Sequence, residues 1–187
     1  MNIYNDIPRL VLGFHGCTAE VRDKVLKSTN EHLKFSTNDY DWLGSGIYFW
    51  LNDPQRALEW ASKKDNPAVI GAIIDLGVCL NLSERTSIKA LQFAYTKLKE
   101  SGIVGLKNKA PDAGGFNLLR PLDCAVINYS YHLSSKEGMP FDTVMGIFQE
   151  GTKAFEGSDI LEKTHTQICV RNTDCIKGYF LPREFQQ

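Results

Sequence analysis

The sequence predicts an α+β fold in one domain spanning residues 1–187, and three stretches carry that prediction. Ala68-Val69-Ile70-Gly71-Ala72-Ile73-Ile74-Asp75-Leu76 is a continuous apolar run of strand length, the pattern of a central strand covered on both faces. Between Ser83 and Glu100 the apolar residues Ile88, Leu91, Tyr95 and Leu98 keep helical spacing, and Ser101-Gly102 supplies a stop. In Leu43-Gly44-Ser45-Gly46-Ile47-Tyr48-Phe49-Trp50, two glycines form a tight turn that feeds an apolar and aromatic strand. A helix start follows at once in Asn52-Asp53-Pro54-Gln55, with Asp53 as cap and Pro54 at the first helical position. No internal repeat, low-complexity tract or linker divides the chain.

The remaining elements follow in order. Leu10 to Thr18 reads as a short buried strand that runs out at Phe14-His15-Gly16-Cys17, and Thr18 caps a helix through about Leu26, with Val21 and Val25 one turn apart on one face. Leu33 to Thr37 predicts a short edge strand, and residues 38–42 a polar loop. After Pro54, Ala57, Leu58 and Ala61 form the stripe of a core helix with Trp60 beside it. Residues 102–117 have no periodicity and predict a loop. Its Lys107 and Lys109 either meet an anionic partner or are solvated connector residues. Leu118 to His132 fits a helix after Pro121 or a buried strand, and the helix is favoured. Asp142 to Phe148 predicts a strand, residues 149–163 an acidic loop, Thr166 to Arg171 a strand, and Ile176 to Leu181 a last short strand. Alternation puts Gln167, Cys169 and Arg171 on one strand face and Ile168 and Val170 on the other.

Composition excludes several classes. With 187 residues, 43% hydrophobic and 23% charged, the chain can bury a core without staples. A formal net charge of -1 supplies no global basic field for nucleic acid or an anionic membrane. No apolar run approaches the roughly 20 residues of a membrane span, and Met1 to Asp6 lacks the basic start and apolar middle of a signal peptide, so a cytoplasmic location is expected. Five cysteines without a C-x-x-C pair predict buried, reduced thiols, with neither a disulfide framework nor a structural metal site. The chain also lacks a G-x-x-x-x-G-K-[ST] phosphate loop, a G-x-G-x-x-G turn, a G-x-S-x-G elbow and an H-E-x-x-H helix.

What remains is an order of parts. A strand ends in His15-Gly16, a later strand opens Gly44-Ser45-Gly46-Ile47-Tyr48-Phe49 and leads to a helix, and a polar residue opens a late strand in His165-Thr166-Gln167-Ile168. That order resembles the ADP-ribosyltransferase superfamily, specifically its PARP-like and diphtheria-toxin-like branch, and covers about residues 10–181. Lys163 to Arg171 is also similar to uncharacterised bacterial relatives. The resemblance implies split mixed β-sheets with flanking helices and NAD as cofactor. It assigns His15 to the adenine-side ribose, the Gly16 backbone to the nicotinamide carboxamide, and Tyr48 to stacking on the nicotinamide ring, with Ser36 completing the carboxamide contacts. Cys17, Gly44 and Gly46 belong to the same cofactor-binding motifs, and Gln167 takes the third motif position beside His15 and Tyr48 as a catalytic residue.

The reaction so implied is transfer of ADP-ribose to a macromolecular acceptor, protein or nucleic acid, as in a bacterial toxin or defence effector, with an antitoxin or inhibitor as partner and no membrane. The family's strongest form has glutamate where this chain has Gln167, which keeps a hydrogen bond and loses a charge. That change favours a mono-transferase and directs attention to a substitute carboxylate from the acidic loop, Glu150 or Glu162. Other readings stay open: a binding module of the same fold that holds NAD or a partner without chemistry, transfer of an RNA 2′-phosphate to NAD using Arg120 and Arg171, and a Cys17–His15 hydrolase. His15 taken alone is equally a satisfied turn histidine, and Tyr48 an ordinary core aromatic.

Overall fold

A computed structural model describes residues 9–109 and 119–183. The Met1–Asp6 segment and the glycine-rich part of the 102–117 loop from residue 110 onward lie outside the described residues. The strands and helices run in the order β1 (Leu10–Thr18), α1 (Ala19–Lys27), β2 (Ile47–Leu51), α2 (Pro54–Ala61), β3 (Pro67–Asp75), β4 (Cys79–Asn81), α3 (Arg85–Glu100), α4 (Pro121–Lys136), β5 (Thr143–Phe148), β6 (His165–Val170) and β7 (Ile176–Phe180). It is a mixed α+β architecture. The caps behave as their chemistry requires: Thr18 Oγ1 accepts from the Val21 N–H at 3.4 Å, and Asp53 Oδ1 accepts from the Arg56 N–H at 2.8 Å.

Among the described residues, the strands form one seven-stranded sheet in the order β4-β5-β6-β2-β1-β3-β7, where the sequence resemblance implied split sheets. Among the described strands, only β4 and β5 pair in parallel. β1 pairs with β3 along its full length, from Leu10↔Asp75 to Thr18↔Pro67, but with β2 only at Gly13↔Leu51 and Phe14↔Trp50. One sheet thus has a narrow waist, and beyond Phe14 β1 and β2 part. Two further expectations change. Leu33 to Thr37 is not a strand and contributes a single bridge, Ser36↔Gly46, because the loop that follows turns away at once. The acidic loop closes back on itself through the Lys153↔Leu161 bridge and the Lys163 N–H to Glu150 C=O bond, 3.0 Å long.

One sheet face carries Phe49, Ile70, Ile74, Ile168 and Val170, all essentially inaccessible, with Val25 of α1 packed on them. On the other face, Phe14, Trp50 and Val69 receive Ala57 of α2, while Val144 and Cys169 receive Ile127 of α4. α3 packs outside α4 through Ala94, Leu98 and Val126. Each such aliphatic side chain contributes about 1.5–3 kcal/mol on full burial, so this two-faced core holds the sheet across its narrow waist. The five cysteines are free, and burial raises the thiol pKa of Cys169 to about 12 and of Cys124 to about 11. Among the described residues, no helix is long and apolar enough to cross a membrane, and no cluster of His, Cys, Asp or Glu could hold a metal ion.

Candidate functional site

Where β1 and β2 separate, a cavity of about 440 Å³ opens, within the size range of small-molecule sites. Its wall contains His15 of β1, Tyr48 and Trp50 of β2, and Gln167 of β6, together with Ser36. Tyr48, Trp50 and Gln167 share one sheet face, and Trp50 stands directly opposite Gln167 in the β2/β6 ladder. His15 belongs to the opposite face, edge-on to the Phe49 ring at 6.0 Å. A continuous ladder would separate these two sets. They meet because the ladder stops at Phe14↔Trp50.

The first strand's histidine is held by backbone. His15 Nδ1–H donates to the Tyr48 C=O at 2.7 Å, which leaves Nε2 as an acceptor in the neutral ring. Burial lowers the His15 pKa below 6.5, against the opposing pull of that carbonyl, so the neutral ring is favoured. Since antiparallel residues alternate their polar groups, and the Leu12 C=O accepts from the Asn52 N–H at 3.0 Å, Gly16 also directs its N–H and C=O toward the β2 side, past the end of the ladder.

The motif glycines have internal reasons to be glycine. A Cβ on Gly16 would sit 2.1 Å from the Ala57 carbonyl oxygen, and one on Gly46 would sit 2.3 Å from Cys169 Sγ and 2.7 Å from the Val170 carbonyl oxygen. Gly44 takes a positive φ of 75°. Gly16, Gly44 and Gly46 are absent from the cavity wall, and Cys17 is buried in the core with its thiol kept protonated by burial. Tyr48 is tied at its far end: its hydroxyl donates to the Gly44 C=O at 2.6 Å and accepts from the Leu43 N–H at 2.9 Å. Burial raises the pKa of that hydroxyl, so it stays a phenol. Ser36 donates to Asp41 Oδ2 at 2.5 Å, beside the cavity.

The two acidic-loop candidates separate. Glu150 reaches the cavity wall, with Arg56 Nη2 at 2.5 Å from its Oε2, whereas Glu162 accepts from Thr152 Oγ1 at 2.9 Å within the loop and does not line the cavity. Arg56 also faces Glu59 at 3.6 Å, and Lys163 faces Glu59 at 3.5 Å. Neither arginine singled out in the sequence lines this cavity. Arg120 lies over Trp42 at 4.3 Å, and Arg171 donates to Asn128 Oδ1 at 2.8 Å while stacking on Tyr131 at 4.0 Å. Asn128 Oδ1 also accepts from the Ser45 N–H at 2.9 Å, so Arg171 braces the glycine turn through α4. Lys107 and Lys109 likewise stay outside the wall.

Sequence reasoning missed Trp42, Trp50, Trp60, Arg56 and Lys63 as wall residues. Trp50 had a readable signal, because it lies two residues from Tyr48 on the same strand face. Arg56 and Lys63 look like the solvent-facing charges of any surface helix. Comparison with protein-family models, with curated proteins and with solved structures returns no match for this chain.

Proposed function

We propose that the cavity binds NAD and that the chain is a mono-ADP-ribosyltransferase acting on a macromolecular acceptor. The observation that carries this reading is the convergence of His15, Tyr48 and Gln167, drawn from three strands, on one cavity wall. Those are the three positions at which the sequence resembles ADP-ribosyltransferases. In this reading, Nε2 of His15 accepts from a ribose hydroxyl, and the resemblance assigns the nicotinamide carboxamide to the Gly16 backbone, which is not itself on the cavity wall. The aromatic wall around Tyr48 suits a flat cationic ring.

The chemistry then follows from charge. The bond between the nicotinamide nitrogen and C1′ of the ribose breaks, its electron pair neutralises the pyridinium, and the positive charge passes to an oxocarbenium-like ribosyl group. A nucleophile on the acceptor forms the new bond to C1′ and gives up its proton. Gln167 offers a hydrogen bond where the family's strongest form offers a charge, and Glu150 supplies a carboxylate to the same wall, partly neutralised by Arg56. Loss of one preorganised electrostatic contact commonly costs about 10²–10³-fold in rate, which fits single transfer better than polymer formation.

The test is nicotinamide release from NAD by the purified protein, with and without cell lysate as acceptor, alongside His15→Ala, Tyr48→Ala and Gln167→Ala. Release that needs lysate and is lost in the variants supports the transferase, and labelled NAD then marks the acceptor. Release without lysate makes the protein an NAD glycohydrolase. NAD-dependent stabilisation without release makes it a binding module. The absence of both release and stabilisation overturns the reading.

A further inference from the structure

The third motif position is held by a histidine two residues away. His165 is buried, with its side chain only 1% exposed, among the rings of Trp42, Trp50 and Phe148. Its Nδ1 lies 2.7 Å from the Lys163 C=O, a group that can only accept, so Nδ1 carries the hydrogen. Glu150 Oε2 stands farther off, at 3.8 Å from the same nitrogen. In the neutral ring Nε2 therefore bears a lone pair, and it lies 3.1 Å from the Gln167 side-chain amide. An acceptor there requires the –NH₂ end of Gln167. The amide is thereby oriented by a chain of bonds that begins at a backbone carbonyl.

We propose that His165 is a positioning residue that fixes the Gln167 amide with its nitrogen toward the imidazole and its Oε1 toward the cavity, so that the glutamine presents to a ribose hydroxyl the acceptor that a carboxylate would present. The part that concerns the ribose rests on the NAD reading above. The orientation of the amide does not. A free glutamine side chain shows a ligand either a donor or an acceptor, and a carboxylate shows only acceptors, so glutamine can replace the acid here only where a second group selects one face. His165 does this and takes no part in the bond-breaking itself.

Two arms test the proposal. In the unmodified protein, nitrogen NMR of the His165 ring should show the Nδ1–H tautomer, and the Gln167 side-chain amide should carry one hydrogen-bonded, slowly exchanging proton. An Nε2–H tautomer, or an unprotected Gln167 amide, overturns the proposal with no ligand needed. The second arm measures NAD binding in His165→Phe, Gln167→Glu and the double variant, each checked for folding by its melting transition. Phenylalanine keeps a ring among Trp42, Trp50 and Phe148 but removes the acceptor. Loss of one orienting hydrogen bond should weaken NAD binding about five- to tenfold in His165→Phe. Gln167→Glu should make binding insensitive to His165→Phe, because a carboxylate needs no orientation. Equal weakening in both backgrounds would show that His165 merely supports the fold and would overturn the proposal. Absence of NAD binding in the unmodified protein instead removes the NAD reading, and the NMR arm still decides the amide.

Discussion

Gly16→Ala separates what the His-Gly pair does for the fold from what it does for a ligand. The methyl group would appear 2.1 Å from the Ala57 carbonyl oxygen and 3.2 Å from Ala61 Cβ, both on α2. Ordinary van der Waals contact begins near 3.4 Å, so α2 and β1 must separate by about 1.3 Å at that point. Neither side yields easily, since the obstacle is a helix carbonyl rather than a flexible side-chain end. Overpacking of this kind costs about 1–3 kcal/mol. For a chain of this size, that is a fall of roughly 2–12 °C in melting temperature. The variant keeps the residue 16 N–H and C=O, so any effect on NAD comes from displacement, including that of Arg56 on α2. Urea unfolding is the assay, with Gly178→Ala as control, because no atom lies within 4 Å of a Cβ there. The control should be neutral or gain about 0.4–1 kcal/mol from its stiffer unfolded chain. An unchanged midpoint for Gly16→Ala would refute the packing argument and leave the glycine to be explained by a ligand.

Three further outcomes are expected. Tyr48→Phe keeps the ring face but strips both bonds to the Leu43-Gly44 turn, so stability should fall by about 1–3 kcal/mol in chemical denaturation while NAD binding persists; loss of binding with intact stability would contradict the division of labour between ring and hydroxyl. Glu150→Gln leaves a largely buried Arg56 with Glu59, at 3.6 Å, as its one acidic partner among the described residues, and should lose stability near the low end of about 3–5 kcal/mol, measured by urea titration. The pH dependence follows from His15 and His165, whose pKa values are lowered by burial, for His165 against the pull of Lys163 O and Glu150. Below 6.5 the unfolded chain binds protons that the folded one refuses, so stability falls as pH drops, each ring contributing up to about 1.4 kcal/mol per pH unit. Above 6.5 the slope from the two rings fades as the unfolded histidines lose their protons, and His165→Phe should remove its share of the slope below.

How far the site can be read without coordinates depends on the range of the interaction that makes it. Asp53-Pro54 and Thr18 mark helix starts through bonds that span three residues, so α1 and α2 are written locally. The apolar run of β3 is equally local. Leu33 to Thr37 misled because its strand-like composition finds, among the described residues, no strand pairing beyond the Gly46 bridge. The glycines show a subtler limit. Their need for close approach is legible, but what approaches Gly16 is Ala57 and what approaches Gly46 is Cys169, contacts set by register and packing that no neighbouring residue encodes.

The cavity itself depends on an interruption, since β1 leaves β2 after Phe14 and the Tyr48 C=O that the ladder no longer uses receives the His15 Nδ1–H instead. The same logic runs through the third position: the Lys163 C=O takes one nitrogen of His165, which turns the other toward Gln167. In both places a backbone carbonyl selects the tautomer of a buried histidine, and the remaining nitrogen becomes an acceptor. His15 lines the cavity itself, and His165 is linked to it through Gln167. The polarity of these two positions is therefore set by main-chain geometry, which in the proposed reading lets a glutamine at position 167 present an oxygen acceptor beside the Glu150 carboxylate.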